Sequence, residues 1–489
     1  MSYHRFKFGL LQSFNFVFVF VFGYIFLNTI IYPVDYFIKY NQLIVIIGAS
    51  LVLGIMLIVN NYLGKLTPKY LTWISGLSFI SLFAAQLFCA HYFKVNPTWD
   101  FGEVYYEALA LSERFRPLSP YFYSYCPNNL PILFILTGLM KAFRILGFTD
   151  LLTPLIGVNL IVVWLSIYVM YLLIKELYGL KYATLFSLFS LMVTPLYLYT
   201  TIIYTDTIGM MFPVLSLYLY AKIYKSECYD WKKVTLLGIV LGISALIKTH
   251  AVIVLIAIII HYMMNNRAYF IKLSVQLIGL VLIVLLGYKL LTKPLIPIAS
   301  EEVGFPKTHW IMMGLKGTGG FDDEDTDMTR YLKDIGYTNE QIQNEHLRIM
   351  KERIDEFGWR GLMNHLNNKL NFTWSDGTYF APEKLKREPL SENIFQTYIF
   401  GSYNKAYLYF SQMIHVAVQF LVLLSSIKIL KQKSGFESVA TISLFGVILF
   451  LLIWETRSRY LMIYLPVIIF LASHGFTFLS DELEKIKRQ

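Results

Sequence analysis

Charge is scarce in this chain. Of 489 residues only 15% are Asp, Glu, Lys or Arg, where a soluble protein carries about 25%. A soluble reading at this length means roughly three domains, and so few charges cannot cover three surfaces. Cysteine is scarce too. Cys89, Cys126 and Cys228 make no disulfide framework, no CxxC pair and no Cys/His metal spacing. There is no internal repeat and no low-complexity linker. Residues 1–9 are basic, but the apolar run after them is long and lacks a small-residue cleavage site, so no secretory signal peptide is expected. Apolar residues are what the chain has in excess: 56% are hydrophobic and 17% aromatic. The formal charge of +10 fits nucleic acid, an anionic membrane surface or the inside loops of a membrane protein. Low charge density argues against nucleic acid, and a polytopic membrane protein is expected.

A spanning helix needs roughly 20 mostly apolar residues. Twelve such segments can be laid out, near 10–31, 42–63, 70–93, 151–174, 182–199, 207–224, 233–247, 249–264, 271–291, 406–428, 437–454 and 460–478. Basic residues collect in short cytoplasmic loops. With the N-terminus inside (Arg5, Lys7), the inside loops carry Lys65 and Lys69; Lys175 and Lys181; Lys222, Lys225, Lys232 and Lys233; Arg267 and Lys272; Lys428, Lys431 and Lys433; and the C-terminal tail carries Lys485, Lys487 and Arg488. Both termini are therefore expected in the cytoplasm, and the excess positive charge records topology. Residues 129–146 carry Lys141 and Arg144 after a polar loop, and read as a helix lying at the outer interface. Basic clusters at both ends of 233–264 argue for two helices turning at Lys248. The expected fold is all-α, with about twelve transmembrane helices and two large extracytoplasmic segments, 94–150 and 292–405. The chain divides into an N-terminal hairpin (1–69), a transmembrane module (70–291), an extracytoplasmic loop domain (292–405) and C-terminal helices (406–489). Apolar residues at helical spacing between 328 and 370 predict helix within the second loop.

The unusual polar residues gather on the expected outer face. In Trp99-Asp100-Phe101-Gly102-Glu103, two carboxylates three apart share a helix face; Asp100 also fits an N-terminal cap. Tyr125-Cys126-Pro127-Asn128-Asn129 reads as a turn into the next helix. Asp206, after Tyr204, sits where a span emerges, as a cap or a functional group. Lys248 and His250 form an ionisable pair between apolar runs, at a depth where charge implies function. His309 lies in a second-loop motif, 306–314. The acidic run 322–325 lacks Ca²⁺-loop spacing and reads as a solvated loop. Trp374-Ser375-Asp376 is a turn with an aromatic flank suited to a sugar. Glu455-Thr456-Arg457-Ser458-Arg459 puts two arginines outside, against the inside-positive rule. Arginine binds phosphate bidentately, so an anion site is expected here, with a structural salt-bridge cluster as the other reading.

This order of motifs resembles the GT-C glycosyltransferases, multi-span enzymes that use polyprenyl-phosphate-linked sugars. In that family an acidic residue opens the first large outer loop, where Asp100 stands with Glu103 beside it, and a second acidic residue follows in the next outer loop, matched by Asp206. More closely, the segments 125–130, 204–207, 247–248, 306–314 and 455–460 resemble the Gram-positive branch that decorates cell-wall polymers. The pair of spans before the first acidic loop departs from members with a single one. The resemblance implies a donor such as an undecaprenyl-phosphate sugar, an acceptor glycan or polymer, and an active site on the outer face of the cell membrane. Asp100, with Glu103 second, would take the acceptor proton. Lys248, Arg457, Arg459 and His309 would face the donor phosphate. Tyr204, Asp206, His250, Asn128, Trp374, Asp376 and Glu455 would line the acceptor. No cofactor is identified; some relatives use a divalent cation, and the metal ligands, sugar and acceptor stay open. A flippase or a ligase of lipid-linked saccharides are the competing readings; a flippase should show repeat symmetry and polar residues at mid-membrane depth.

Overall fold

A computed structural model describes residues 2–34, 36–226, 228–265, 268–296, 302–431 and 435–488. Arg267 and Lys433, two of the expected inside cations, lie outside these residues. The described chain is helical throughout; its one isolated β-bridge joins Val95 and Pro389. Helix occupies each of the twelve apolar segments. Among the described residues eight helices are long and apolar enough to cross a membrane, or nine if the bent pair Leu180–Met192 and Pro195–Thr201 is one span; Thr249–Met264 and Glu437–Ile453 are shorter apolar helices.

The helices sort by burial. In Ser458–Arg488 the whole apolar window is buried, against 17% in Gln42–Leu63 and in Phe270–Leu295. The last helix is therefore the axis, and the two least buried present Leu and Ile outward, as lipid-facing helices do. Lys405–Lys431 is the principal neighbour of the axis. A Cβ on Gly475 would overlap the Leu421 carbonyl oxygen and fall 2.7 Å from Ser425 N, so a residue without a side chain is required where these backbones cross. The N-terminal helix packs on the other side of Lys405–Lys431. It is bonded to the end of the long loop helix through Asn28 Nδ2, which donates to Asn367 Oδ1 at 2.7 Å.

The two long segments are helical as well. In the first, Trp99–Glu113 packs against Leu130–Ile145, the segment read as interfacial. In the second, Asp323–Asp334 is followed by Asn339–Trp374, which starts at a Thr338/Gln341 capping box and is broken at Gly358 (φ 54°). Both segments meet the axis helix at its N-terminal end.

Gly475→Val should lower the melting temperature of the detergent-solubilised protein by an amount equivalent to about 1–3 kcal/mol or more. An unchanged melting curve would show that this crossing does not hold the bundle.

Candidate functional site

Asp206 is the buried centre of the site. Its side chain is 4% exposed; its Oδ1 accepts from Lys248 Nζ at 2.6 Å, and its Oδ2 lies 3.6 Å from Arg459 Nη1. Three positions far apart in sequence thus meet, each at a break in a helix. Asp206 follows the 69° bend between Leu180–Met192 and Pro195–Thr201. Buried Asn159 props that bend by donating Nδ2 to the carbonyls of Tyr199, Thr200 and Ile202. Lys248 occupies an extended residue (φ −149°) that ends the Trp231–Ile247 helix, so the expected turn is present as a break. Arg459 lies in the first, tight turn of the axis helix.

Asp100 stands beside this pair through Tyr204. The Tyr121 hydroxyl donates to Asp100 Oδ1 at 2.8 Å and accepts from Asn129 Nδ2 at 2.5 Å. The Tyr204 hydroxyl has one proton for two acceptors, Asn129 Oδ1 at 2.9 Å and Asp100 Oδ2 at 3.3 Å. The shorter contact wins by geometry, which leaves Oδ2 the less engaged carboxylate oxygen. Burial, with the Asp100 charge next, holds the Tyr121 and Tyr204 hydroxyls well above the usual phenol range, so both remain donors. The Asp100 helix starts tightly: Trp99 adopts φ +49°, and a Cβ on Gly102 would lie 2.8 Å from the Pro97 carbonyl oxygen.

A row of alternating cations and rings flanks the carboxylates. Arg459 Cζ lies 5.0 Å from the Trp99 ring centre, and Lys384 Nζ lies 3.3 Å from the same centre. Lys384 is also 5.9 Å from the Phe380 ring, and Arg457 Cζ is 4.3 Å from Phe380 and 5.2 Å from Phe372. A cation over a ring is attracted without being neutralised. Arg457 Nε and Arg459 Nε and Nη1 have no hydrogen-bond partner among the described residues. Tyr379 and Phe380 hold positive φ (52° and 65°); such strain persists only where the surroundings impose it. Here Asp376 imposes it: Oδ1 accepts from Thr378 N and Oγ1, and Oδ2 accepts from Phe380 N and Ser458 Oγ.

The remaining sequence candidates separate into neighbours and supports. Glu455 is buried and accepts from Tyr460 OH at 2.8 Å; burial pushes its carboxyl up, against the pull of Arg459 and Tyr460. Tyr460 in turn faces Lys248 (4.9 Å) and Arg459 (5.0 Å). The His250 ring is buried against Phe450 and Tyr464 next to the cluster. Glu103 and Asn128 are exposed, whereas Asn129, one residue on, is buried in the network. Trp374 is buried in the core against Phe22, and Asp376 has both oxygens occupied in holding the Phe380 turn under the cation row. His309 is bonded to Thr329 in a separate cluster. The acidic run is ion-paired: Lys316 to Asp322 and Glu324, and Arg353 to Asp325. No group of three metal-ligating side chains suited to a metal ion occurs among the described residues.

The 306–314 motif acts as a clamp on the arginine turn. Trp310 stacks on Trp454 (5.5 Å, 10°), and Glu455 N donates to the Trp310 carbonyl. His365, Lys369 and Thr373, spaced by four on one helix face, fasten this junction. His365 Nε2 and Lys369 Nζ bond the Gly314 carbonyl, Lys369 also reaches the Trp454 carbonyl, and Thr373 meets Thr456. Burial pushes Lys369 down to about 8. The i, i+4 spacing of these polar residues was a legible signal that the motif reading did not use; Lys384 carried no comparable signal.

With these contacts in place, the chain can be set beside known proteins. The model of a family described as "Conserved hypothetical integral membrane protein" matches residues 5–477. The chain belongs to this family. With eight spanning-type helices it is a multi-pass membrane protein. No curated protein matches it in sequence. Among solved structures it is similar to the archaeal oligosaccharyltransferase AglB from Archaeoglobus fulgidus, solved with an inhibitory peptide and a dolichol-phosphate. Identity is 14%, the TM-score is 0.44, and the match covers 85% of this chain and 52% of that one. This chain therefore spans about half the length of that relative.

The second cluster gives a pH test. Thr329 Oγ1 donates to the Asp325 carbonyl, so His309 Nδ1 and His346 Nε2 must donate to Thr329, and His346 Nδ1 is bonded to the Thr308 hydroxyl. Burial holds His309 down at about 3 and His346 at about 4, below the unfolded value of about 6.5. Below that pH the unfolded chain binds protons that the folded chain refuses. Stability is therefore full above about pH 6.5 and falls toward pH 4, by up to about 1.4 kcal/mol per unit for each ring. Melting temperature against pH should flatten in His309→Gln/His346→Gln; an identical acid slope would rule out these rings as its source.

Proposed function

We propose that the chain is a GT-C-type glycosyltransferase of the cell membrane, moving a single sugar from a polyprenyl-phosphate donor to a cell-surface glycan or polymer. The observation that carries this reading is Tyr204. Its hydroxyl touches Asp100, while its ring packs against Trp99 at 5.0 Å, the ring shared by Arg459 and Lys384. A base and an anion-binding surface thus meet on one residue, which is the pairing that sugar transfer from a lipid phosphate needs.

In this reaction the acceptor oxygen attacks C1 of the sugar and forms the new glycosidic bond. The bond from C1 to the phosphate oxygen breaks, and the phosphate leaves with the electron pair. The acceptor proton passes to Asp100 at Oδ2, the less engaged oxygen. General-base transfer of this kind contributes about 10²–10⁴-fold. The leaving phosphate is already acidic and needs positive charge more than a proton. Arg459, with Lys248 oriented by Asp206, supplies that charge, and Arg457 extends it along the aromatic row. Attack opposite the phosphate inverts the anomeric centre, by analogy with inverting hydrolysis. A cavity of about 380 Å³ lined by Phe88, Phe93, Tyr197, Leu198, Phe395 and Phe410 offers the apolar wall that a polyprenyl chain requires.

The remaining detail belongs to the same proposal. Twelve spans with both termini in the cytoplasm put this end of the bundle outside. The hairpin 1–69, the module 70–291, the loop domain 292–405 and the helices 406–489 form the working parts. The donor is an undecaprenyl-phosphate hexose in the membrane, and the acceptor a Gram-positive cell-wall polymer. His309, Glu103, Asn128 and Trp374 act indirectly or at the rim, and any divalent cation would bind with the substrate.

Membranes containing the protein, supplied with a polyprenyl-phosphate sugar, should yield single-sugar products. Chain transfer would favour the ligase reading, and movement without bond change the flippase. Asp100→Asn should cut turnover about 10²–10⁴-fold with donor binding retained; near-wild-type turnover would remove Asp100 as the base. Arg459→Gln, and to a smaller extent Arg457→Ala, should weaken donor binding. Unchanged affinity in both would move the phosphate elsewhere.

A further inference from the structure

Lys384 is the least expected cation of the row. It is 6% exposed, yet its Nζ has no hydrogen bond or ion pair among the described residues; it contacts the rings of Trp99 and Phe380. A buried ammonium without a carboxylate is costly and tends to lose its proton. The groups that face it come from every element around it. Arg459 from the axis helix and Arg387 from its own turn repel its charge, while Asp100 and Asp206 attract it at longer range. Burial, ahead of these, pushes it down to about 5. Lys384 and Arg459 share the Trp99 ring, so the two groups can be no farther apart than the sum of their distances to its centre. Arg459 in turn keeps two nitrogens, Nε and Nη1, with no hydrogen bond among the described residues.

We propose that Lys384 belongs to the phosphate subsite and is charged by its ligand: as a phosphate monoester or diester anion binds beside Arg459, the amine takes one proton from solvent and becomes a second cation for it. The proton is released when the anion leaves. This rests on the phosphate-donor reading above and deepens it, by saying when Lys384 carries its charge. A purely structural lysine would do neither, because its stem alone would fill the space against Trp99.

The test is calorimetry on the full chain in nanodiscs at pH 7, with a short-chain isoprenyl phosphate and, separately, inorganic phosphate. Each titration is repeated in two buffers of different ionisation enthalpy. Wild type should take up about one proton per phosphate bound, and affinity should fall as pH rises from 6 to 9. Lys384→Met keeps the stem and should lose roughly tenfold in affinity or more, together with the proton uptake. Lys384→Arg should keep the affinity and lose the uptake, since arginine stays charged. Uptake with both probes assigns the subsite to the phosphate itself. Uptake with the isoprenyl phosphate alone assigns it to a lipid-borne phosphate. Wild-type affinity and proton count in Lys384→Met would overturn the inference while leaving the donor reading intact. Failure of both phosphates to bind wild type would overturn both.

Discussion

A carboxylate buried at the end of an apolar helix bundle has to be paired, and the pairing of Asp206 organises this molecule. An isolated charge in such surroundings costs several kcal/mol. Lys248 and Arg459 meet that cost only if two other helices break at the same level. The bend before Asp206, the extended residue at Lys248 and the tight turn at Arg459 are therefore one device, distributed over three parts of the chain. Asn159 and the clamp at Trp310 and Trp454 serve it by holding the broken ends in place.

Around this pair the positive charge is arranged in an unusual way. Arg457 and Lys384 face aromatic rings and have no carboxylate at ion-pair distance among the described residues. The rings hold the Arg457 guanidinium in position and leave its charge to act outward, and they hold the Lys384 amine beside it. A structural cluster would instead have neutralised them. Two residues with left-handed backbone, Trp99 and Phe380, supply rings to this row alongside Phe372, and the strain at Phe380 and its neighbour Tyr379 is held by Asp376. The first two helices contribute as well: Tyr36, in their connection, packs on Phe372 and Phe380 at 6.2 and 5.3 Å.

Much of the architecture was legible in the sequence, because an apolar run has only one way to satisfy its backbone in a bilayer, as helix. Every apolar segment is helical, including the short, ambiguous ones. Asp100, Asp206, Lys248 and Arg459 were legible for a related reason, since charge beside an apolar run needs an explanation. Neighbouring assignments were less secure. Asn128 and Asn129 differ by one residue and point to opposite environments, and Glu103 shares a helix face with Asp100 but lies a turn farther out. Trp374 and His309 sat in conspicuous motifs, but conspicuous residues also make cores and clamps, and here they do.

The sequence by itself determined the helices and the scarcity of charge that makes each polar residue meaningful. Local composition decides both. Only the tertiary structure decided which polar residues share a site. Tyr204 meets Asp100 across 104 positions, and Lys384 meets Trp99 because a strained turn and a tight helix start bring their backbones together. Contacts of that kind depend on where helices cross and break. Those positions are set by packing between segments rather than by the residues of any one of them.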